Sequence, residues 1–78
     1  MPTVLINGPY RFFFYEGDRE EPPHIHVERE NCEAKFWLEP VRLEKSFGFG
    51  RKEVVKIEKL VEIKREELLR RWHAYFNG

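Results

Sequence analysis

Glycine and proline are almost confined to the first 50 residues of this 78-residue chain. Nine of the ten lie at or before Gly50, and the tenth is the last residue, Gly78. Both residue types interrupt regular structure, so their frequent spacing predicts short strands before Gly50, and their absence afterwards predicts helix. We therefore expect an α+β fold, with a sheet part over 1–47 and a helical part over 50–77. A chain of this length forms one domain at most, which we take to be 1–78.

Runs of apolar and aromatic residues between these breaks predict five strands. The predicted strands are Thr3–Asn7, Tyr10–Glu16, His24–Arg29, Glu33–Leu38 and the short Val41–Glu44. The third and fourth fit a hairpin in which Ile25 pairs with Phe36 and Val27 pairs with Ala34. That register places the apolar side chains on one face, whereas a slip of one residue would expose them to water. We predict an antiparallel sheet of four or five strands, with one face covered by the helical segment.

The helical segment is expected to begin after Gly50, the predicted N-cap, with Glu53 in the first turn near the positive end of the helix dipole. Most of its apolar residues then fall within an arc of about 120° at helical spacing. These residues are Val54, Ile57, Val61, Leu68, Leu69, Trp72, Tyr75 and Phe76. They form the predicted surface of contact with the sheet.

Two arrangements of this segment remain open. The first is a single helix of about 26 residues, and the second is a pair of shorter helices with a break near Lys64. A straight helix of about 39 Å would overhang strands of about five to seven residues. We therefore expect the break.

The opposite face of the predicted hairpin carries the residues with the most chemistry. His24, His26 and Glu28 alternate along one strand, with His24 facing Trp37 and His26 facing Lys35. Two imidazoles at this spacing project to the same side, about 6.5–7 Å apart along the backbone, which is close enough to chelate one metal ion. With Glu28 they would form a set of two histidines and one carboxylate, which suits zinc or non-haem iron.

Other roles for these residues stay open. Glu33 or His73 could complete the metal site instead of Glu28, and His24 and His26 could act as acid and base in RNA cleavage, with Lys35 or Arg29 on the phosphate. The third interpretation is structural: the histidines line a half-buried polar face beside Trp37. We expect the structural role, and therefore predict no metal and no cofactor.

Composition limits the classes of function. Fourteen basic residues balance fourteen acidic ones, which argues against a protein that coats nucleic acid or an anionic membrane. No run approaches the roughly 18 apolar residues of a membrane span, and no basic region followed by an apolar stretch begins the sequence, so we expect no export signal. The single cysteine, Cys32, excludes an internal disulfide framework. We expect a cytoplasmic protein.

Leu60 and Ile63 lie outside the apolar arc of the helical segment. An exposed apolar pair on a helix tends to mark an interface, so these two residues are predicted to bind a partner. A small protein is the favoured partner, and a second copy of the chain is the other candidate. Nucleic acid is not favoured, because the net charge is zero.

Five segments together resemble the bacterial domain-of-unknown-function family 4160: Met1–Leu5, Gly8–Tyr15, Glu21–Val27, Ala34–Leu38 and Trp72–Phe76. The specific part is Pro-Pro-His-Ile-His-Val beside Ala-Lys-Phe-Trp. The resemblance implies a small protein often encoded beside another small protein of unknown function, in an arrangement like a toxin–antitoxin pair. We therefore predict a partner-binding regulatory component of a two-gene module. The alternative is a histidine-dependent RNA-cleaving or metal-dependent hydrolytic enzyme.

Overall fold

A computed structural model describes residues 3–77 of the chain. Its elements in chain order are strands β1 (Thr3–Asn7) and β2 (Tyr10–Phe13), a 3₁₀ helix (Glu16–Glu20), strands β3 (His24–Arg29), β4 (Cys32–Leu38) and β5 (Val41–Phe47), and helix α1 (Arg51–Asn77). The strands form one antiparallel sheet in the order β1-β2-β3-β4-β5. The predicted α+β class is confirmed, with five strands and a C-terminal helix.

The predicted hairpin register between β3 and β4 is also confirmed. Ile25 pairs with Phe36 and Val27 with Ala34, and all four side chains are buried. The register holds because each of these side chains would be exposed after a shift of one residue. A two-residue turn at 30–31 joins the strands.

Helix α1 covers the apolar face of the sheet. Its buried residues are Ile57, Val61, Leu68, Trp72 and Phe76. On the sheet they meet a core that includes Phe12, Ile25, Val27, Ala34, Phe36 and Leu38. The helix begins where predicted, because the Val54 amide donates to the Gly50 carbonyl over 3.0 Å. Within residues 3–77, no helix combines the length and the apolar character that a membrane span requires.

The expected break near Lys64 is wrong, since α1 runs without interruption from Arg51 to Asn77. The chain between β2 and β3 extends the packing surface beyond the strands and so supports the far end of the helix. Phe14 in this connection lies 5.3 Å from Trp72 and 5.8 Å from Phe76, measured between ring centroids. The helix therefore does not overhang the fold as strand length alone implied.

Two arginines also support the continuous helix. Arg65 interrupts the apolar arc, yet its Nε donates to the Leu38 carbonyl over 2.8 Å at the turn after β4. Arg19 of the 3₁₀ helix donates from Nη2 to the Phe76 carbonyl over 3.2 Å. Carbonyls in the last turn of a helix have no intrahelical donor, and a cation there also favours the helix dipole. Arg19 thus caps α1 from another part of the chain.

Candidate functional site

The face of the sheet opposite α1 carries the predicted polar residues in the predicted register. His24 pairs with Trp37, and His26 pairs with Lys35. Neither histidine is open to solvent, because His24 is 0% exposed and His26 is 6% exposed. The 3₁₀ helix contributes to this burial and places Asp18 against both imidazoles.

Asp18, His24 and His26, called here the Asp–His cluster, bring their side chains together at this point. Potential ligand atoms of the three residues all lie within 4.8 Å of one another. Asp18 Oδ1 is 3.0 Å from His24 Nε2, and Asp18 Oδ2 is 3.1 Å from His26 Nε2. The carboxylate is itself held in place, because the Tyr15 amide donates to Oδ2 over 2.8 Å. The cluster thus joins the 3₁₀ helix to β3.

His24 is fixed by contacts on several sides. Its Nδ1 lies 2.9 Å from the Pro22 carbonyl, which can only accept, so Nδ1 carries a hydrogen and donates it. In the neutral ring the lone pair then resides on Nε2. Asp18 Oδ1 lies near this nitrogen but too far off its axis for a hydrogen bond, so Nε2 has no hydrogen-bond partner. The ring also packs against Trp37 and Trp72, at centroid distances of 5.6 and 5.1 Å.

His26 lies between two aromatic side chains. Its ring stacks on Phe13 at 5.3 Å and meets the edge of Tyr15 at 4.6 Å between centroids. Burial lowers the pKa of His26 from 6.5 to about 4, although the nearby Asp18 carboxylate acts in the opposite direction. The imidazole is therefore neutral near pH 7, and its Nε2 donates to or shares a proton with Asp18. Its Nδ1 has no hydrogen-bond partner and lies 3.5 Å from Glu33 Oε2.

Lys35 is close to the cluster but already engaged. Its Nζ donates to Glu21 Oε1 over 2.6 Å and lies 4.8 Å from the ring centroid of Trp37. This hydrogen bond lowers the pKa of Glu21, so the carboxylate stays ionised and paired. Lys35 therefore forms an ion pair at the rim of the cluster.

Two of the predicted metal ligands lie away from the cluster. Glu28 accepts from Arg11 Nε over 2.6 Å, in a pair that spans β2 and β3. His73 is exposed on α1, where its Nδ1 is 3.1 Å from the Asn77 side-chain nitrogen. Asp18 takes the place in the cluster that the sequence had assigned to Glu28.

The predicted pair on the helix is divided between two environments. Leu60 is half-buried and packs against the core, so the expectation that it lies outside the apolar side of the helix is wrong. Ile63 is 75% exposed, and Val55 on the same side is 45% exposed. Lys59 lies four residues from each of them, which places it between the two on the helix surface.

Neither Lys52 nor Lys59 takes part in an ion pair among residues 3–77. Lys52, Val55, Lys59 and Ile63 share one side of α1 and are called here the outer helix surface. Both lysines are exposed, and so are Glu62 and Glu66 on the same side of the helix, so the two apolar side chains lie among charges of both signs.

A comparison with protein families matches residues 10–73 to the model described as "Domain of unknown function (DUF4160)". The chain belongs to this family. No curated protein and no solved structure matches the DUF4160 chain. The matched range contains the whole Asp–His cluster and the outer helix surface.

Asp18 is the site residue that sequence reasoning missed in this DUF4160 chain. It follows Gly17 in a short acidic segment without apolar periodicity, so neither helix nor strand spacing placed it near the histidines. The one available signal was its position as an acidic residue in the connection leading into the His-x-His strand. Connections of this kind fold back over a sheet by tertiary contacts, which the local pattern does not encode.

Proposed function

We propose that this DUF4160 protein is a partner-binding regulatory component, and that the outer helix surface binds an acidic groove on a small protein partner. The observation that carries the proposal is the 75% exposure of Ile63 on a helix whose opposite side is fully packed. Burial of an isoleucine side chain on binding is worth about 1.5–3 kcal/mol, which makes Ile63 a suitable anchor. A helix that inserts one apolar side into a groove is a common mode of recognition.

Charge defines the chemistry of this partner. The first part of α1 carries Arg51, Lys52, Lys56 and Lys59 against Glu53 and Glu58, and Arg51 and Lys52 lie in the first turn. Cations in the first turn of a helix oppose the helix dipole, which is a cost to the free protein. Acidic side chains on a partner would offset that cost and would also speed association. We therefore favour a groove that is apolar at its centre and acidic at its rim.

The family resemblance supports a regulatory role in the cytoplasm. It implies a neighbouring gene for a second small protein, in an arrangement like a toxin–antitoxin module. In this proposal the neighbouring product is the partner, and the protein acts by occupying a surface of that product.

The enzyme alternative has less support from the geometry. His24 is 0% exposed and Lys35 is paired with Glu21, so an RNA phosphate cannot contact both groups in this conformation. The 3₁₀ helix that carries Asp18 would have to move aside first. General acid–base catalysis needs its groups within hydrogen-bond reach of the substrate, which the buried cluster does not offer.

Light scattering on the full chain, alone and mixed with the product of the neighbouring gene, tests the proposal. We expect a complex whose mass is the sum of the two proteins. Ile63→Glu should weaken association at least tenfold, because it places a charge at the apolar anchor, a cost of at least about 1.4 kcal/mol. Ile6→Glu is the matched control, since Ile6 is 67% exposed on β1 and lies outside the outer helix surface.

Three results would contradict the proposal. The first is a protein that ignores the neighbouring product, and the second is a complex that Ile63→Glu leaves intact. The third is a homodimer that Ile63→Glu dissociates, which would assign the outer helix surface to self-association instead.

A further inference from the structure

Two ring nitrogens of the Asp–His cluster, His24 Nε2 and His26 Nδ1, are buried without a hydrogen-bond partner. Buried polar side-chain atoms nearly always have such a partner, and each exception needs a cause. Both belong to one cluster in which a carboxylate and two imidazoles converge. A single cause for both is therefore the simplest account.

The tautomer of His24 identifies what the cluster lacks. With Nδ1 donating to Pro22, a neutral His24 ring has its lone pair on Nε2, and this nitrogen is 3.0 Å from Asp18 Oδ1, which is also electron-rich. Two acceptors at this distance repel each other unless a cation lies between them. Oδ1 lies off the axis of Nε2, so the two atoms do not point at each other. This is the arrangement expected of two ligands that both point at one metal ion.

We propose that Asp18, His24 and His26 form a binding site for one zinc ion. Two imidazole nitrogens and a carboxylate oxygen are typical zinc ligands, whereas calcium and magnesium prefer oxygen ligands alone. In tetrahedral zinc sites with bonds near 2.0–2.1 Å, neighbouring ligand atoms are roughly 3.3 Å apart. The distances of 3.0 Å from His24 Nε2 to Oδ1 and 3.1 Å from His26 Nε2 to Oδ2 are close to that separation, so the carboxylate presents one oxygen to each imidazole.

The same ion also accounts for His26. If its Nε2 binds zinc, the neutral ring carries its hydrogen on Nδ1, which faces Glu33 Oε2 at 3.5 Å. A carboxylate or carbonyl behind a zinc-bound histidine is the usual arrangement, since it fixes the tautomer and the ring orientation. The Pro22 carbonyl lies behind the His24 ring, next to its Nδ1, and the Glu33 carboxylate lies behind the His26 ring, next to its Nδ1. With zinc bound, Nε2 of His24 would be a ligand, and Nδ1 of His26 would carry the hydrogen that faces Glu33.

The position of the cluster indicates a structural ion. His24 is fully buried, and its ring is 5.1 Å from Trp72 of α1 by centroid distance. The ion would tie the 3₁₀ helix to β3 beside the end of α1. Asp18 and the two histidines supply three protein ligands, one fewer than a closed structural zinc site usually has, so a buried water molecule would have to complete the tetrahedron.

Titration of Zn²⁺ into the full chain, purified without a histidine tag and stripped with a chelator, tests the site. We expect one zinc ion per chain and a melting temperature that rises with zinc concentration. Asp18→Asn and His24→Gln should each weaken zinc binding at least about a hundredfold, because each removes a ligand. Loss of a residue that only contacts a ligand usually costs about 10- to 100-fold. Glu33→Gln should fall within that smaller range. His73→Gln is the matched control, because it removes an exposed histidine outside the cluster.

A second measurement does not depend on the variants being folded. Imidazole ¹⁵N spectra of the wild-type protein should show Zn²⁺-dependent shifts at Nε2 of His24 and His26, with His73 unchanged. A wild-type protein that binds no zinc would overturn the proposal. Zinc binding that survives Asp18→Asn and His24→Gln, or that disappears in His73→Gln, would also overturn it.

Discussion

Glu53 joins three elements through one carboxylate. It accepts from Arg29 Nε over 2.9 Å and Nη2 over 2.8 Å, and from the Tyr10 hydroxyl over 2.8 Å. The sequence placed Glu53 in the first turn of α1, where a carboxylate favours the helix dipole. Its partners on β2 and β3 could not be predicted, because they come from strands whose distance from the helix start depends on the tertiary fold. The sequence therefore predicts the interaction of Glu53 with the helix dipole, but not its hydrogen bonds to Arg29 and Tyr10.

Replacement of this carboxylate has a predictable pH dependence. Hydrogen bonds from Arg29 and Tyr10 lower the pKa of Glu53 below its ordinary value of 4.5. A group with a lowered pKa in the folded state contributes stability that is present above the ordinary pKa and is lost as pH falls through the folded pKa. Glu53→Gln should therefore destabilise the protein near pH 7, and the difference from wild type should shrink below pH 4.5.

Thermal melts of both proteins across this pH range provide the measurement. Glu62→Gln is the matched control, since Glu62 is exposed on the same helix and forms no ion pair among residues 3–77. A wild-type advantage over Glu53→Gln that stays constant down to pH 3 would show that Arg29 and Tyr10 do not stabilise the charged form.

At the scale of elements, predictability follows the strength of the local pattern. The register of β3 and β4 was predictable because alternating side chains allow only one pairing with a common apolar face. The length of α1 was not, since the surface that supports its last turns comes from the connection before β3. Phe14 and Arg19 in that connection make their contacts with α1 across more than fifty residues of chain. Asp18 was missed for the same reason.

Trp72 is the residue through which α1 meets this connection. It is 5% exposed, and its ring lies 5.3 Å from Phe14 and 4.3 Å from Phe76 between centroids. Trp72→Ala should lower the free energy of unfolding by roughly 3–5 kcal/mol, because it removes buried apolar area and leaves a cavity. In a domain of this size, that loss approaches the total stability of a few kcal/mol, so the variant should be largely unfolded.

Urea unfolding followed by circular dichroism measures this effect. His73→Ala serves as the neighbouring control, because His73 is exposed and its replacement should change stability by less than about 0.5 kcal/mol. A urea unfolding curve of Trp72→Ala close to that of wild type would mean that the end of α1 contributes little to the core.

For the molecule as a whole, the two proposed sites occupy different surfaces. The Asp–His cluster lies under the 3₁₀ helix beside Trp72, whereas the outer helix surface faces away from the sheet. No hydrogen bond or ion pair among residues 3–77 connects the outer helix surface to the cluster. The sites can therefore influence each other chiefly through the stability of the fold they share.

This separation predicts that zinc affects partner binding only through folding. At a temperature where the zinc-free protein is fully folded, removal of zinc should leave the affinity for the partner unchanged, and Ile63→Glu should leave zinc affinity unchanged. Zinc at about one hundred times its dissociation constant stabilises the folded state by about 2.7 kcal/mol. That is comparable with the whole stability of so small a domain, so partner binding should become zinc-dependent near the melting temperature of the zinc-free protein. Calorimetric titration of the partner, with and without zinc at both temperatures, measures these affinities. A loss of affinity on zinc removal at the lower temperature would mean that the two sites are directly coupled.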